Sequence, residues 1–181
     1  MAGGMARELS STFPAMPRVK ESVHKRMHDF SDLLPPDGVL PDVAVANKKQ
    51  LFQQLGSLAA QEFGLDARDV AERLATRERL GSTGFGGGVA LPHAKVPGLD
   101  HVVGMFVRLA SPIAFDAVDE LPVDLAFALF SPPDAGAAHL KALARVSRQM
   151  RDRPFLEKLR GAGSKEALYA LFCADEARDA A

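Results

Sequence analysis

Among the 181 residues of this chain, His93, His139, Arg77 and a run of glycines are the groups whose types and spacing could handle a phosphoryl group. His93 closes the apolar segment Val89-Ala-Leu-Pro-His93. Neutral imidazole is a nucleophile towards phosphorus and titrates near physiological pH. Pro92 has no N–H and holds Leu91 extended, which tends to end strand pairing on one side. His93 would then stand at a strand end facing a cleft, with Lys95 two residues on. The other reading of the same spacing is a buried, hydrogen-bonded histidine. His139 lies near the start of a late helix, where free N–H groups and the helix dipole favour an anion. The same position also suits an ordinary exposed helix residue. Arg77 and Arg79 close an earlier helix. Guanidinium groups offer paired donors to phosphate oxygens, and cations also complement a helix C-terminus.

Between these arginines and His93 runs Gly81-Ser-Thr-Gly-Phe-Gly-Gly-Gly88, with five glycines. Backbone N–H groups in tight glycine turns can converge on an anion, and the hydroxyls of Ser82 and Thr83 would add donors. Gly84 and Gly86 complete this candidate phosphate-binding loop. No Gly-Lys-Ser/Thr follows and the segment runs into a strand, so it is not a P-loop. No strand directly precedes it, so it is not a dinucleotide fingerprint either. A flexible helix-to-strand connection would use the same glycines. Three other groups lack the company that chemistry needs. His24 and His28 have the i, i+4 spacing of metal ligands but no evident third ligand. Asp119-Glu120 sits among turn residues and reads as a solvated loop. Cys173 has no visible catalytic partner and reads as a helix-end core residue.

The elements that must position these groups follow from periodicity. Pro35-Pro36-Asp37-Gly38 is a turn, followed by a short strand through Val39, Leu40, Val43 and Val45. Asn47 N-caps a helix whose inward face carries Leu51, Phe52, Leu55, Leu58, Ala59 and Phe63, and Gly64 ends it. Asp66 caps a second helix with Val70, Ala71, Leu74 and Ala75 inward. The glycine segment is too glycine-rich for regular structure. Residues 102–109 and 123–130 are nearly continuous apolar runs, as in strands covered on both faces. Ser111-Pro112 and residues 119–122 read as loops around a short strand at residues 113–115. Leu140, Leu143, Ala144, Ser147 and Met150 mark a helix opening near Ala137. Pro154 opens a further short helix, and Ser164 caps a last one bearing Leu168, Leu171 and Phe172. The order β-α-α-β-β-β-α-α-α predicts an α/β fold, one domain with a sheet sandwiched between helices.

Composition narrows the class further. Apolar residues make up 47% and charged residues 25%, which is the balance of a soluble globular protein. The formal net charge of −1 divides unevenly, +3 on residues 1–28 and −4 on residues 29–181. Residues 1–28 therefore read as a basic, weakly ordered extension, with Met27 a candidate alternative start. Residues 29–173 read as the domain and residues 174–181 as a short tail. The near-neutral total argues against a polybasic nucleic-acid binder. No apolar run approaches the roughly 20 residues of a membrane span, and the amino terminus lacks the apolar stretch of a secretory signal. A single cysteine excludes an internal disulfide framework and fits a reducing, cytoplasmic setting.

The segment Arg77-Glu-Arg-Leu-Gly-Ser-Thr-Gly-Phe-Gly-Gly-Gly-Val-Ala-Leu-Pro-His-Ala-Lys95 resembles the active-site segment of enzyme IIA domains of the phosphoenolpyruvate-dependent phosphotransferase system. The branch is the fructose/mannitol type, and the likeness is greatest to its nitrogen-regulatory members. Residues 111–125 and 138–144 resemble the segments that follow in that group, and the likeness extends from about Phe30 to Phe172. The resemblance implies a mixed sheet between helices and a phosphohistidine carrier that needs no cofactor and no metal. It places His93 on the phosphorylated histidine, reacting through Nε2. His139 falls on the second active-site histidine and Arg77 on the active-site arginine, with Ser82 and Thr83 on the hydroxyl pair of the loop. The implied partners are an HPr-like phosphocarrier as donor and regulated target proteins such as kinases or transporters. No IIB, IIC or HPr module accompanies the domain, which favours the regulatory reading. The alternative is a free-standing IIA component of a fructose- or mannitol-type transporter passing phosphate to a IIB domain. The chain carries Gly86-Gly87-Gly88 where nitrogen-type members usually have Gly-Asn-Gly, and Ala94 where they have glycine.

Overall fold

A computed structural model describes residues 29–173, so His24, Met27, His28 and the tail of residues 174–181 lie outside the described residues. Helix ends are set where the sequence carries capping residues. Asn47 accepts from the Gln50 N–H at 3.0 Å and starts α1 (Lys48–Phe63), which Gly64 ends at φ 67°. Asp66 accepts from the Asp69 N–H at 2.7 Å and starts α2 (Ala67–Arg79). After the strands come α3 (Gly136–Gln149), α4 (Arg153–Gly161), capped by Asp152, and α5 (Lys165–Cys173), whose Ser164 cap accepts from the Ala167 N–H at 3.1 Å. Each cap satisfies an amide that the first turn leaves unpaired.

The strands are β1 (Val39–Val43), β2 (Gly84–Gly86), β3 (Val89–Ala90), β4 (His93–Lys95), β5 (Val103–Ile113) and β6 (Val123–Ser131). They form one mixed sheet in the order β1-β5-β6-β3-β2, with β4 continuing beside β6 beyond β3. β5 and β6 are antiparallel, whereas β1 runs parallel to β5 and both β3 and β4 run parallel to β6. Alternation along β6 explains its continuous apolar run. Ala126, Ala128 and Phe130 face the core under α1 and α2, while Leu125, Phe127 and Leu129 face the core under Phe30 to Leu34 and α3–α5. Two glycines permit close approaches. A Cβ on Gly56 would lie 2.2 Å from the Ala67 carbonyl oxygen, and one on Gly104 would lie 2.6 Å from the Phe127 ring. The α/β sandwich is the expected one.

Local details differ from the sequence expectations in three places. Gly84–Gly86 is not irregular but pairs antiparallel with β3, because Gly87 and Gly88, at φ 68° and 79°, turn the chain sharply enough for a hairpin. Gly87 occupies left-handed space that asparagine also accepts, so exchanging asparagine for glycine there preserves the turn. No separate strand forms at residues 113–115, since β5 continues through Ser111 and Pro112 to Ile113. A register shift between Arg108 and Ile113 places the proline in an irregular, exposed stretch that needs no N–H. On α3 the buried face is Ala142 and Val146, continued by Met150 just past its end, with Leu140 left 65% exposed. The buried row and the row through Leu140 and Ala144 have the same period, so periodicity did not distinguish them.

Candidate active site

The site forms where the last turn of α2, the strand β4 and the first turn of α3 meet. The Leu91-Pro92 interruption separates β3 from β4, yet Pro92 still accepts from the Leu129 N–H at 2.9 Å, so the chain stays beside β6 and His93 falls opposite Leu129. His93 is half-buried, and both ring nitrogens are engaged. Nδ1 lies 2.9 Å from the Leu91 carbonyl oxygen, which can only accept, so Nδ1 carries the proton. Nε2 accepts from Arg77 Nε at 3.0 Å and therefore carries the lone pair. Burial lowers the His93 pKa below the usual histidine value. The Leu91 hydrogen bond works against this, the Arg77 cation adds to it, and the Glu78 carboxylate opposes it. The ring is thus held neutral with Nε2 as its nucleophilic atom.

His139 enters from α3, its ring centroid 5.6 Å from that of His93. Its Nδ1 is 2.9 Å from the buried Ser131 hydroxyl at the end of β6. Burial also lowers the His139 pKa, with further lowering from His93 and Lys95. Lys95 donates to the Pro133 carbonyl at 2.9 Å and so ties β4 to the turn leading into α3. The histidines open into a cleft of about 620 Å³ lined by Arg73, Arg77, Leu80, Lys95 and the acidic pair Asp69 and Glu72. Arg73 is committed to Asp69 at 2.7 Å, which leaves Arg77 as the cation touching His93. A larger groove of about 990 Å³, lined by residues of α1 and α2 with Asp116, contains neither histidine.

Arg77, His93 and His139 are therefore brought together, and the loop residues are not. Ser82 donates towards Glu78 and the Phe115 carbonyl at 3.0 Å each. Thr83 turns its N–H (2.9 Å) and hydroxyl (2.6 Å) to Glu78. Gly84 lies in β2, where a Cβ would meet Ala117 at 2.9 Å, and Gly86, at φ 105°, stands beside Asp119. None of the four lines the histidine cleft. The loop reaches the cleft through Gly81, whose carbonyl accepts from Arg77 Nη1 at 2.9 Å. Arg79 turns away and donates to Thr76 at 2.9 Å. Asp119 is half of no acid/base pair; it accepts from the Gly87 N–H at 2.8 Å and anchors the hairpin. Cys173, half-buried at the end of α5, stays a core-flanking residue. Among the described residues no cluster of three histidine, cysteine or carboxylate side chains is placed to hold a metal, and no helix is long and apolar enough to cross a membrane.

Sequence reasoning missed Glu78, Lys48 and Ser131. Glu78 sits between two arginines, where it reads as one more helix charge, and its partners arrive only with the fold: Lys48 at the start of α1, 2.9 Å away, and Ser82 and Thr83 of the returning glycine loop. Ser131 meets His139 solely because the sheet register ends β6 beneath α3.

Comparison with known proteins agrees with this architecture. Residues 32–174 match the family model described as phosphoenolpyruvate-dependent sugar phosphotransferase system, EIIA 2. The nitrogen regulatory protein of Bradyrhizobium diazoefficiens is 46% identical over 142 residues, spanning 78% of this chain and 93% of that protein. That of Klebsiella oxytoca is 41% identical over 143 residues, spanning 78% and 88%. The crystal structure of nitrogen regulatory protein IIA-Ntr from Neisseria meningitidis superposes with a TM-score of 0.74 at 37% identity, covering 79% of this chain and 98% of that one. On the family match, the identities and the shared fold, this chain belongs to the EIIA 2 family of the phosphoenolpyruvate-dependent phosphotransferase system and is similar to its nitrogen regulatory proteins.

Proposed function

We propose that the protein is a phosphohistidine carrier of the nitrogen-regulatory branch, accepting a phosphoryl group on His93 Nε2 from the phosphohistidine of an HPr-like donor. Its phosphorylation state would then govern binding to target proteins such as kinases or transporters. The observation that carries this reading is the fixed tautomer of His93, with Nδ1–H on the Leu91 carbonyl and Nε2 on Arg77. The donor's phosphorus–nitrogen bond breaks as the His93 Nε2–phosphorus bond forms, and the donor imidazole leaves with the electron pair of the broken bond. Nδ1 keeps its proton throughout, and the Leu91 carbonyl stabilises the positive charge that the ring gains. Arg77 must release Nε2 and turn its donors to the phosphoryl oxygens. In a loose transition state this charge neutralisation and the positioning of the two rings supply most of the catalysis. His139, its ring centroid 5.6 Å from that of His93, would hydrogen-bond a phosphoryl oxygen.

Leu80, which lines the cleft just past the end of α2, and Leu140, next to His139 on α3, are 83% and 65% exposed and would give a docking protein donor an apolar rim. Phosphorylation adds about two negative charges in the middle of that face, enough to change which surfaces dock there. The test is incubation with phosphoenolpyruvate, enzyme I and an HPr-type donor, comparing the wild type with His93→Ala. Acid-labile phosphate should appear on the wild type alone. Absence of label on the wild type, or equal labelling of the variant, would refute the proposal. Running nitrogen-branch and sugar-branch donors in parallel separates the regulatory carrier from a transporter component, since the former should take phosphate faster from the nitrogen-branch donor.

A further inference from the structure

Glu78, the neighbour of Arg77 on α2, has its side chain 7% exposed and engaged on both oxygens. One oxygen accepts from Lys48 Nζ at 2.9 Å and from the Ser82 hydroxyl at 3.0 Å. The other accepts from the Thr83 N–H at 2.9 Å and the Thr83 hydroxyl at 2.6 Å. From Thr83 the connection continues through the backbone. Its carbonyl accepts from the Leu91 N–H at 2.9 Å, and the Leu91 carbonyl in turn accepts from His93 Nδ1–H at 2.9 Å. In the other direction Glu78 is covalently next to Arg77, whose guanidinium holds Nε2 of the same imidazole. One buried carboxylate thus anchors both arms that grip the ring.

We propose that Glu78, held by Lys48, is a positioning residue for phosphoryl transfer, setting the tautomer and orientation of His93 through Thr83 and Leu91 and the approach of Arg77 through the α2 backbone. The inference rests on His93 as the acceptor and goes beyond it by assigning a role to a side chain that touches neither ring. The reason a carboxylate is needed is geometric. All four groups aimed at it donate, so an acceptor-only side chain with two oxygens satisfies them, whereas an amide would set its NH2 against one donor pair. Lys48 also bonds Asp116 at 3.0 Å and lies 4.5 Å from the centre of the Phe115 ring, so the ammonium that holds Glu78 is itself fixed. Outer partners of this kind commonly change activity about 10- to 100-fold when removed, because they set the geometry of the reacting group.

The test compares wild type, Glu78→Gln and the near-isosteric Thr83→Val. Readouts are the initial rate of phosphorylation, the final stoichiometry of acid-labile phosphate, and the His93 tautomer and titration by ¹⁵N NMR of the unphosphorylated protein. In Glu78→Gln the transfer rate should fall about tenfold or more while the final stoichiometry is unchanged. The His93 Nδ1–H form should lose population, and the His93 titration should move to lower pH. That direction follows because both the Glu78 charge and the Leu91 hydrogen bond raise the His93 pKa; the other charged or titratable groups facing the cleft, Arg77, His139, Lys95, Arg73, Asp69 and Glu72, are unchanged by the substitution. Thr83→Val should shift the tautomer in the same sense, and the two substitutions should be less than additive because they interrupt one connection. An unchanged rate, tautomer and titration in folded Glu78→Gln would overturn the role. If that variant does not fold, the same null result in Thr83→Val overturns it. A wild type that takes no phosphate would instead refute His93 as acceptor, while the NMR tautomer comparison would still decide whether Glu78 orients the ring.

Discussion

Replacing Arg77 with methionine keeps an apolar stem of similar reach and removes the guanidinium. The free protein loses the Nε–H donated to His93 Nε2 at 3.0 Å and the tie to the Gly81 carbonyl at 2.9 Å. In the transfer step the same donors should meet the phosphoryl oxygens. A hydrogen bond to a charged group contributes about 1.5–3 kcal/mol, and each 1.36 kcal/mol is tenfold in rate, so phosphorylation should slow about 10- to 150-fold. A second effect has a definite sign. The Arg77 cation helps to lower the His93 pKa, so its removal raises that pKa. Neutral imidazole then becomes scarcer at a given acid pH, and the acid limb of the rate profile moves to higher pH. Arg77→Lys keeps the charge without the planar fork, and should give an intermediate rate with the limb nearly in place. The assay is the initial rate of acid-labile phosphate incorporation from saturating phosphorylated donor, measured from about pH 5 to about pH 9 across the histidine range. Arg77 also occupies the Nε2 lone pair in the free protein. A methionine variant as fast as wild type on the alkaline plateau, or faster, would mean that occlusion outweighs charge neutralisation, and would refute the role given to Arg77. An acid limb that stayed put or moved to lower pH would refute the electrostatic part alone.

Other substitutions test the surrounding structure. Leu80→Asp and Leu140→Asp put charge on the exposed rim without touching either imidazole, and should raise the KM for the phosphorylated donor severalfold with a smaller change in kcat. Gly56→Ala places a Cβ 2.2 Å from the Ala67 carbonyl, so α1 and α2 must separate; despite alanine's better helix propensity, a net loss of about 1–3 kcal/mol should appear in denaturant unfolding. Arg108 is 9% exposed and donates through Nη1 to the carbonyls of Leu159 (3.1 Å), Arg160 and Ala162. Arg108→Met leaves the end of α4 without those donors and should lower stability by about 2–4 kcal/mol, with His93 still labelled at a temperature where the variant is folded.

Much of the positioning frame was legible in the chain because it is encoded locally. Asn47, Asp66 and Ser164 cap the helices they precede, since a short side-chain oxygen meets an amide two or three residues on without help from the rest of the fold. The two long apolar runs became β5 and β6 because a strand covered on both faces must be apolar at every position. Where two local patterns were equally good, the sequence was ambiguous. Rows on α3 starting at Leu140 and at Ala142 share one period, and packing against Phe127 and Leu129 of the sheet buried the second. The glycine segment was read as irregular because glycine lacks strand propensity. A strand was available beside it in β3, and pairing outweighed propensity.

The candidate site divides along the same line. Residue type made His93, His139 and Arg77 candidates with an ordinary structural reading open for each, and the likeness of the surrounding segments to enzyme IIA domains is what singled them out. Their reach was not legible. His93 and His139 are 46 positions apart, and their rings meet because β4 and β6 run side by side and α3 starts at the end of β6. Which nitrogen of His93 is nucleophilic depends on a carbonyl two residues back and an arginine sixteen residues back, and neither hydrogen bond has a signature in composition or spacing. Likewise the hydroxyls of Ser82 and Thr83, chemically fit to bind an anion, turn to Glu78 because that buried carboxylate needs donors more than the open cleft does. Side-chain chemistry belongs to the individual residue and can be read one position at a time. Tautomer, charge environment and the direction of a hydroxyl belong to the neighbours, and those are assembled only when distant segments pack.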